Sequence, residues 1–235
     1  MFWIPGADKN QGKIPCTLHE PLHFRNPNEK PPYLIIYCHG NAMDLGHCGF
    51  MSELAQHLGF YCISFDYNGY GLATQTKTAT TEASASRDIM TVFRFARNEL
   101  HWPAERIMLY GQSIGTGIAT FCASKAQKEN EQIMALFLQS GYTSIRDVAV
   151  SFVGFAGNFI LNRFNTRQRL KELTCPVLFT HGNLDEVIPY DMSVNMMELY
   201  KGNELKYFHT ADGKGHNDMS IVDDLAIPFV TIISQ

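Results

Sequence analysis

Short runs of consecutive apolar residues recur along the chain, and most are followed by a longer segment in which apolar residues return every three or four positions. The short runs are typical of buried strands, and the longer spacing is typical of amphipathic helices. Strands are predicted at 32–39, 60–65, 106–110, 133–138, 176–180 and 205–209. Because strands and helices alternate, the pattern predicts an α/β protein whose mostly parallel sheet has helices on both faces.

One long interruption separates two of the predicted strands, from residue 143 to residue 174. It contains Phe152, Phe155 and Phe159 at helical spacing. Two interpretations stay open. The segment is either a crossover helix whose aromatic face packs on the sheet, or a small cap whose phenylalanines line a pocket for an acyl group.

Length and composition place the chain in a single domain, 1–235, of ordinary globular character. Hydrophobic residues make up 45% of the 235 positions and charged residues 18%. The net charge is −4 and no dense stripe of lysine and arginine stands out, so a nucleic acid is not an expected partner. No apolar run approaches the roughly 20 residues that span a bilayer. These features favour a soluble cytoplasmic protein.

The six cysteines form no C-x-x-C pair, and three of them lie inside apolar runs. This distribution favours free thiols in a core over a disulfide framework or a zinc site. The chain also has no H-E-x-x-H motif. We therefore expect neither a metal nor a cofactor.

The most informative motif is the pentapeptide Gly-Gln-Ser-Ile-Gly at 111–115. A predicted strand at 106–110 precedes it, and Ile118 and Phe121 continue a helical pattern after it. This order matches the G-x-S-x-G nucleophile elbow, which forces a serine onto a sharp turn between a strand and a helix. The motif predicts Ser113 as a nucleophile.

A serine hydroxyl becomes a good nucleophile when a base accepts its proton and a third group orients that base. The expected chain order is serine, then an acid, then a histidine. The segment at 181–189, His-Gly-Asn-Leu-Asp-Glu-Val-Ile-Pro, follows a predicted strand and offers Asp185 and Glu186. We favour Asp185 because it stands four residues before Pro189, as in an H-G-x-x-D-x-x-x-P loop.

His216 is the predicted base. It lies in the glycine-rich segment 213–218 after the last predicted strand, a combination that no other histidine of the chain shares. Asp212 and Asp218 stand too close to it in sequence to be favoured as its partner. Asp218 is instead predicted to cap the final helix.

A tetrahedral intermediate needs backbone N–H groups aimed at its oxyanion. One predicted donor is Ile114, which follows the nucleophile at the positive end of its helix. The other is Asn41, in the loop 39–42 after the first predicted core strand. His39 is predicted to shape this loop, and His181 to have a structural role or a hydrogen bond to the backbone.

With these residues assigned, the chain resembles an α/β-hydrolase over nearly its whole length. It resembles the α/β-hydrolase-domain 17 group, whose members remove palmitate from protein cysteines, and Bem46-like serine hydrolases. The motifs that carry the resemblance are HGNAMDLG at 39–46, FDYNGYG at 65–71, YGQSIGTG at 110–117, HGNLDEVIP at 181–189 and GHND at 215–218. The resemblance implies an α/β-hydrolase fold of about seven to eight strands, with Ser113, His216 and Asp185 as its triad.

The N-terminal region departs from the group. Only Cys16 precedes the first predicted core strand, whereas those depalmitoylases carry a cluster of acylated cysteines that attaches them to membranes. This departure counts against membrane attachment of the kind that the group uses, and peripheral membrane contact is left as an open alternative. The same region is short, so the first strands of the family's eight-stranded sheet are expected to be reduced or missing.

The function expected from these observations is serine-dependent hydrolysis of acyl esters or thioesters, including those of an acylated protein. One alternative is a small peptidase or amidase of the prolyl-peptidase type, although no acidic pair supplies a site for a substrate amine. Another is a catalytically silent binding module with the hydrolase fold. Such a module usually loses a triad member, and this chain retains every candidate.

Overall fold

The strands and helices follow the predicted alternation in the computed structural model, which describes residues 1–7, 11–22, 33–75, 80–202 and 204–234. The strands are β1 (Phe2–Ile4), β2 (Ile14–His19), β3 (Leu34–Cys38), β4 (Tyr61–Phe65), β5 (Ile107–Gln112), β6 (Ala135–Gln139), β7 (Val177–Gly182) and β8 (Lys206–Ala211). The α-helices are α1 (Phe50–Leu58), α2 (Glu82–Asn98), α3 (Ile114–Lys128), α4 (Ile145–Val153), α5 (Thr166–Leu170), α6 (Tyr190–Leu199) and α7 (Ile227–Ile233).

The eight strands found in the described residues form one sheet in the order β1-β2-β4-β3-β5-β6-β7-β8. The pairs from β4 to β8 across this order are parallel, and β2 is antiparallel to both β1 and β4. This arrangement confirms the predicted mostly parallel sheet. The first two strands are present, and β1 is reduced to three residues.

Alternate residues of the central strands supply two hydrophobic layers, one on each face of the sheet. Ile36 and Leu109 face the layer that contains residues of α2 and α3. Tyr37 and Tyr110 face the opposite layer, with residues of α1 and α7. Helices therefore cover both faces, which explains why the central strands are continuously apolar. All six cysteines are buried and free, as predicted.

The carboxyl ends of the parallel strands meet at one edge of the sheet. Ser113 follows β5, Asp185 comes three residues after β7, and His216 lies in the loop that leaves β8. The loop that begins at His39 follows β3. Open α/β sheets place their ligand sites at this edge. The topology therefore brings the predicted site residues to one side of the molecule.

The segment 143–174 leaves the same edge after β6. It contains α4, a 3-10 turn at Gly154–Phe159 and α5. Phe152 is 60% exposed, Phe155 79% and Phe159 81%. These exposures exclude an aromatic face packed on the sheet.

The start of the last helical segment differs from the prediction. Ser220 is its N-cap, since its side chain accepts a hydrogen bond from the Asp223 amide at 3.1 Å, and a π-helical stretch, Ile221–Ala226, then leads into α7. Asp218 was predicted as the cap, and this prediction is wrong. Its carboxylate accepts a hydrogen bond from the Gly215 amide at 2.6 Å, which closes the loop around His216 instead.

No helix among the described residues is both long enough and apolar enough to cross a membrane.

Candidate active site

Ser113 occupies a strained turn between β5 and α3. Its φ of 54° and ψ of −122° lie in a region that non-glycine residues rarely adopt, at a cost of roughly 1–3 kcal/mol. Three hydrogen bonds hold the turn. The Ser113 amide donates to the Gln139 carbonyl at 2.9 Å, and the amide and hydroxyl of Thr116 donate to the Ser113 carbonyl at 2.9 and 2.7 Å. The backbone thus has the geometry of the predicted nucleophile elbow.

The two glycines of the motif allow backbone segments to approach more closely than a side chain would permit. A Cβ atom at Gly111 would overlap the Gly115 carbonyl, and one at Gly115 would overlap the Cys38 carbonyl. A Cβ at Gly115 would also lie 2.9 Å from the His39 carbonyl oxygen. Gly115 therefore lets the first turn of α3 rest on the end of β3, which sets the position of Ser113.

We expect Gly115→Ala to lower the free energy of unfolding by about 1–3 kcal/mol, because its methyl group would be overpacked against rigid backbone. The measurement is chemical denaturation. Gly49→Ala is the matched control, since Gly49 has αR geometry and no atom within 4 Å of its added Cβ. If Gly115→Ala unfolds at the same denaturant concentration as the wild type, the close-approach explanation is wrong.

His216 and Asp185 form a hydrogen-bonded pair. The Nδ1 atom of His216 donates to Oδ2 of Asp185 at 2.7 Å. The other carboxylate oxygen, Oδ1, accepts hydrogen bonds from the amides of Val187 and Ile188, both at 2.8 Å. The Asp185 side chain is fully buried and the His216 side chain is 10% exposed. The carboxylate is thus held in place from both sides.

The competing acids do not reach His216 in this way. Glu186 is exposed. Asp212 accepts a hydrogen bond from the Asn183 side chain at 2.7 Å. The geometry joins His216 to Asp185, the acid that the loop pattern favours.

His181 is a further contact of Asp185 that the sequence pattern did not reveal. Its Nε2 lies 3.1 Å from Oδ2 of Asp185 and 3.0 Å from the Ile188 carbonyl. Its Nδ1 is 2.7 Å from the Ser193 hydroxyl, and the ring is fully buried. The hydrogen bond to the backbone that was predicted for His181 is present, with the Ile188 carbonyl. The contact with Asp185 was not predicted, and its one sign in the sequence is the spacing of four residues between His181 and Asp185.

Burial alone would raise the pKa of Asp185, but the surrounding donors act in the opposite direction. Hydrogen bonds from His181, His216 and the Ile188 amide outweigh burial and hold the pKa well below its usual value of 3.8. Asp185 is therefore ionised at neutral pH. An ionised carboxylate in this position keeps the proton of His216 on Nδ1 and leaves Nε2 able to accept another.

Ser113 and His216 line the same cavity, which has a volume of about 580 Å³. Its wall also carries the large apolar side chains of Met43, Phe50 and Val187. The three phenylalanines of the 143–174 segment are absent from the described residues that line it. Their assignment to a substrate pocket stays a prediction.

The loop after β3 lies against the elbow. A side chain at Gly40 would begin 3.6 Å from Cβ of Ser113. The hydroxyl of Tyr67 donates to the His39 carbonyl at 2.9 Å, and the hydroxyl of Tyr70 donates to Oδ1 of Asn41 at 2.8 Å. These bonds orient the loop that contains one predicted oxyanion donor.

His39 is buried, and its Nδ1 donates to the Gly40 carbonyl at 2.9 Å. Burial lowers the pKa of His39 to about 4, so the ring is neutral near pH 7. A neutral ring bonded to its own loop agrees with a shaping role.

The other predicted oxyanion donor, Ile114, is the first residue of α3, so its N–H group has no acceptor within the helix.

Two protein-family models match this chain. The description "alpha/beta hydrolase fold" matches residues 33–153, and "Serine hydrolase (FSH1)" matches residues 95–216. Each match covers about half of the chain, and together they include the 39–42 loop, the elbow, Asp185 and His216.

Curated relatives have similar descriptions. The alpha/beta hydrolase domain-containing protein aho-3 of Caenorhabditis elegans is 32% identical over 91% of this chain and 59% of its own length. The human alpha/beta hydrolase domain-containing protein 17C is 30% identical over 80% of this chain and 54% of its own length. The chain thus spans somewhat more than half the length of these relatives.

Among solved structures, Est1E of Butyrivibrio proteoclasticus, determined with ferulic acid bound, superposes over the full length of both chains. The TM-score is 0.75 and the sequence identity 20%. At this identity the similarity concerns the fold.

Proposed function

Because the chain belongs to the α/β-hydrolase fold family, within its serine hydrolases, we propose that it cleaves acyl esters or thioesters through a catalytic triad of Ser113, His216 and Asp185. The observation that carries this proposal is the meeting of two independent features in one cavity. One is the strained elbow at Ser113, and the other is the buried, ionised Asp185 bonded to His216.

In the proposed reaction, Oγ of Ser113 attacks the acyl carbonyl carbon while Nε2 of His216 accepts the hydroxyl proton. The ionised Asp185 stabilises the resulting imidazolium. The tetrahedral intermediate then releases an alcohol or thiol, which takes the proton from His216, and an acyl ester remains on Ser113. Water repeats the sequence with the same proton transfers, which frees the carboxylic acid and restores the serine.

The amides of Ile114 and Asn41 are the proposed donors to the oxyanion. Ile114 N–H is available at the start of α3, where the helix dipole adds positive potential. The Asn41 loop is held by Tyr70 beside Ser113. Loss of one such donor lowers the rate of a well-studied protease by roughly 10²- to 10³-fold.

We further propose that the acyl chain starts against the apolar wall of the cavity and extends toward the 143–174 segment. Met43, Phe50 and Val187 would contact the part of the acyl chain nearest the ester. Phe152, Phe155 and Phe159, exposed on a segment that leaves the same sheet edge, would cover its distal part. A long-chain thioester of an acylated protein is the substrate that this arrangement supports best, as the resemblance to the domain 17 group implies.

A panel of p-nitrophenyl esters and matched thioesters with two to sixteen acyl carbons tests the proposal, together with an amide analogue and Ser113→Ala as the blank. We expect hydrolysis of esters and thioesters, with kcat/KM rising with chain length. Activity on the amide alone would favour the peptidase alternative, and activity confined to the two-carbon ester would exclude the long-chain substrate.

The double variant Phe155→Ser, Phe159→Ser is expected to lower kcat/KM for the sixteen-carbon substrate about tenfold. This effect corresponds to a loss of about 55 Å² of apolar contact between the two rings and the acyl chain, which is worth roughly 1.4 kcal/mol. The two-carbon substrate should be hydrolysed at the wild-type rate. Val230→Ser, which removes a half-exposed apolar side chain from α7, is the control. An equal effect on both substrates would remove these phenylalanines from the acyl pocket.

A further inference from the structure

A second concave site lies between α2, α3 and the chain that follows α4. It is an open groove of about 650 Å³. The described residues that line this groove are all different from those that line the cavity at Ser113. The residues that define this groove are Ala7, Thr81, Glu82, Ala83, Ser86, Arg87, Met90, Thr91, Arg94, Phe121, Lys125, Arg163 and Arg169.

The groove has a strong excess of positive charge, although the chain as a whole carries −4. Among the described residues that line it, five are cationic and one, Glu82, is anionic. The cations come from three separate parts of the chain: Arg87 and Arg94 from α2, Lys125 from α3, and two arginines from the 163–169 region. The fold therefore concentrates charge that is dispersed in the sequence.

Two nearby carboxylates pair with three of these cations. Glu129 is shared by Arg94 and Lys125, each at 3.0 Å. Glu82 accepts a hydrogen bond from Nη2 of Arg169 at 2.8 Å. These two carboxylates thus account for Arg94, Lys125 and Arg169.

Two arginines retain unused hydrogen-bonding capacity. Arg163 is exposed, and its side chain makes no ion pair or hydrogen bond with any residue that the structure describes. The Nη1 atom of Arg169 is buried and has no hydrogen-bond partner among the described residues. A buried guanidinium nitrogen without a partner is costly, so an acceptor at this position would be strongly favoured.

The floor of the groove is apolar. Met90 is 6% exposed, and the guanidinium of Arg169 stands over the ring of Phe121 at 5.2 Å from its centroid. An apolar floor beneath a rim of cations suits a molecule with an apolar body and an anionic group. The volume is within the range of small-ligand sites.

We propose that this groove binds an organic phosphate, with the phosphate among the arginines and an apolar body on Met90 and Phe121. Guanidinium groups match the geometry of both carboxylate and phosphate. The unused donors of Arg163 and Arg169 suit a phosphomonoester, which offers two charges and three terminal oxygens, better than a carboxylate, which offers one charge and two oxygens. The ligand occupies a site separate from the catalytic cavity.

Isothermal titration with four probes tests the proposal: 2-naphthyl phosphate, 2-naphthoate, 2-naphthol and inorganic phosphate. We expect 2-naphthyl phosphate to bind more tightly than each of the other three, because it alone combines the dianionic group and the aromatic body. Its affinity should fall as salt is added. Absence of binding by 2-naphthyl phosphate, or equal binding of 2-naphthol, would overturn the proposal.

Three arginine variants connect the binding to the groove. Arg163→Gln and Arg169→Gln should each weaken 2-naphthyl phosphate binding by roughly 10- to 100-fold, as expected for one charge-assisted hydrogen bond. Arg167→Gln, which lies on α5 beside Arg169 but outside the groove, should bind like the wild type. A thermal melt will show whether Arg169→Gln is folded. If it is not, Arg163→Gln still tests the site, because the Arg163 side chain has no partner among the described residues whose loss could destabilise the protein. Equal binding by Arg163→Gln and Arg167→Gln would refute the site.

A vesicle arm distinguishes a lipid headgroup from a soluble phosphate. Phosphatidylcholine vesicles with and without phosphatidic acid are sedimented with the wild type, Arg163→Gln and Arg167→Gln. Binding that needs both phosphatidic acid and Arg163 supports the site with a lipid source. When 2-naphthyl phosphate binds and the vesicles do not, the site takes a soluble phosphate.

Discussion

We expect Ser113→Ala to abolish labelling by a fluorophosphonate probe and to lower kcat/KM for ester hydrolysis by roughly 10⁴- to 10⁶-fold. The probe forms a covalent bond with an activated serine oxygen, and the variant has no oxygen at the elbow. The remaining rate would come from binding and the oxyanion donors alone. Labelling followed by mass spectrometry, together with initial rates on a p-nitrophenyl ester, measures both effects.

The variant should fold normally, because alanine retains Cβ and leaves the backbone bonds of Ser113 to Gln139 and Thr116 intact. Ser151→Ala is the matched control. Its hydroxyl lies on α4, where it donates to the Val148 carbonyl at 2.6 Å, and its loss should change neither labelling nor rate. Equal labelling of the wild type and Ser113→Ala would refute the proposed nucleophile.

Asp185→Asn is expected to lower kcat by roughly 10⁴-fold while the protein remains folded. An amide oxygen can replace Oδ1 and accept the bonds from Val187 and Ile188. The amide nitrogen would then face Nδ1 of His216, so the ring would have to accept there and carry its proton on Nε2. In that tautomer His216 cannot accept the proton of Ser113.

Glu186→Gln is the control for Asp185→Asn, since Glu186 is the adjacent acid and is exposed. Its rate should equal that of the wild type. A rate for Asp185→Asn within tenfold of the wild type would show that Asp185 does not orient the base.

Asp185→Asn should also change how the stability of the protein depends on pH. The pKa of Asp185 is lower in the folded protein than its usual value of 3.8, so its ionisation stabilises the fold above about pH 4. This contribution is lost as the pH falls through the folded-state pKa. The stability difference between wild type and Asp185→Asn, followed by denaturation, should therefore shrink below pH 4. A difference that is independent of pH would contradict the depressed pKa.

Strand positions were predictable to the extent that burial made them continuously apolar. The predicted strand at 106–110 corresponds to β5, which runs on to Gln112 because its pairing with β6 continues to Gln139. The strand β2 was not predicted. Its sequence, IPCTLH, has no continuous apolar run, and its extended form follows from antiparallel pairing with β4. Pairing of this kind is not visible in a local pattern.

The candidate site was predictable because its parts are short motifs with characteristic spacing. The elbow at 111–115 needs glycine at positions 111 and 115, because backbone atoms lie too close there for a side chain. Asp185 and His216 each belong to a loop that follows a strand. The cap on the last helical segment was predicted wrongly at Asp218, since a nearby serine, Ser220, has the geometry to bond the helix amides. Proximity in sequence did not distinguish these two residues.

The sequence by itself determined the class of fold, the strained turn at Ser113 and the order of the three candidate triad residues. Each follows from local periodicity, from the steric needs of glycine, or from the rule that parallel strands end at one edge. Only the tertiary structure decided that His181 also contacts Asp185, that the phenylalanines at 152–159 are exposed, and that five cations share one groove. These facts depend on the packing of segments that are distant in the chain, and therefore on strand order and helix placement, which no local pattern specifies.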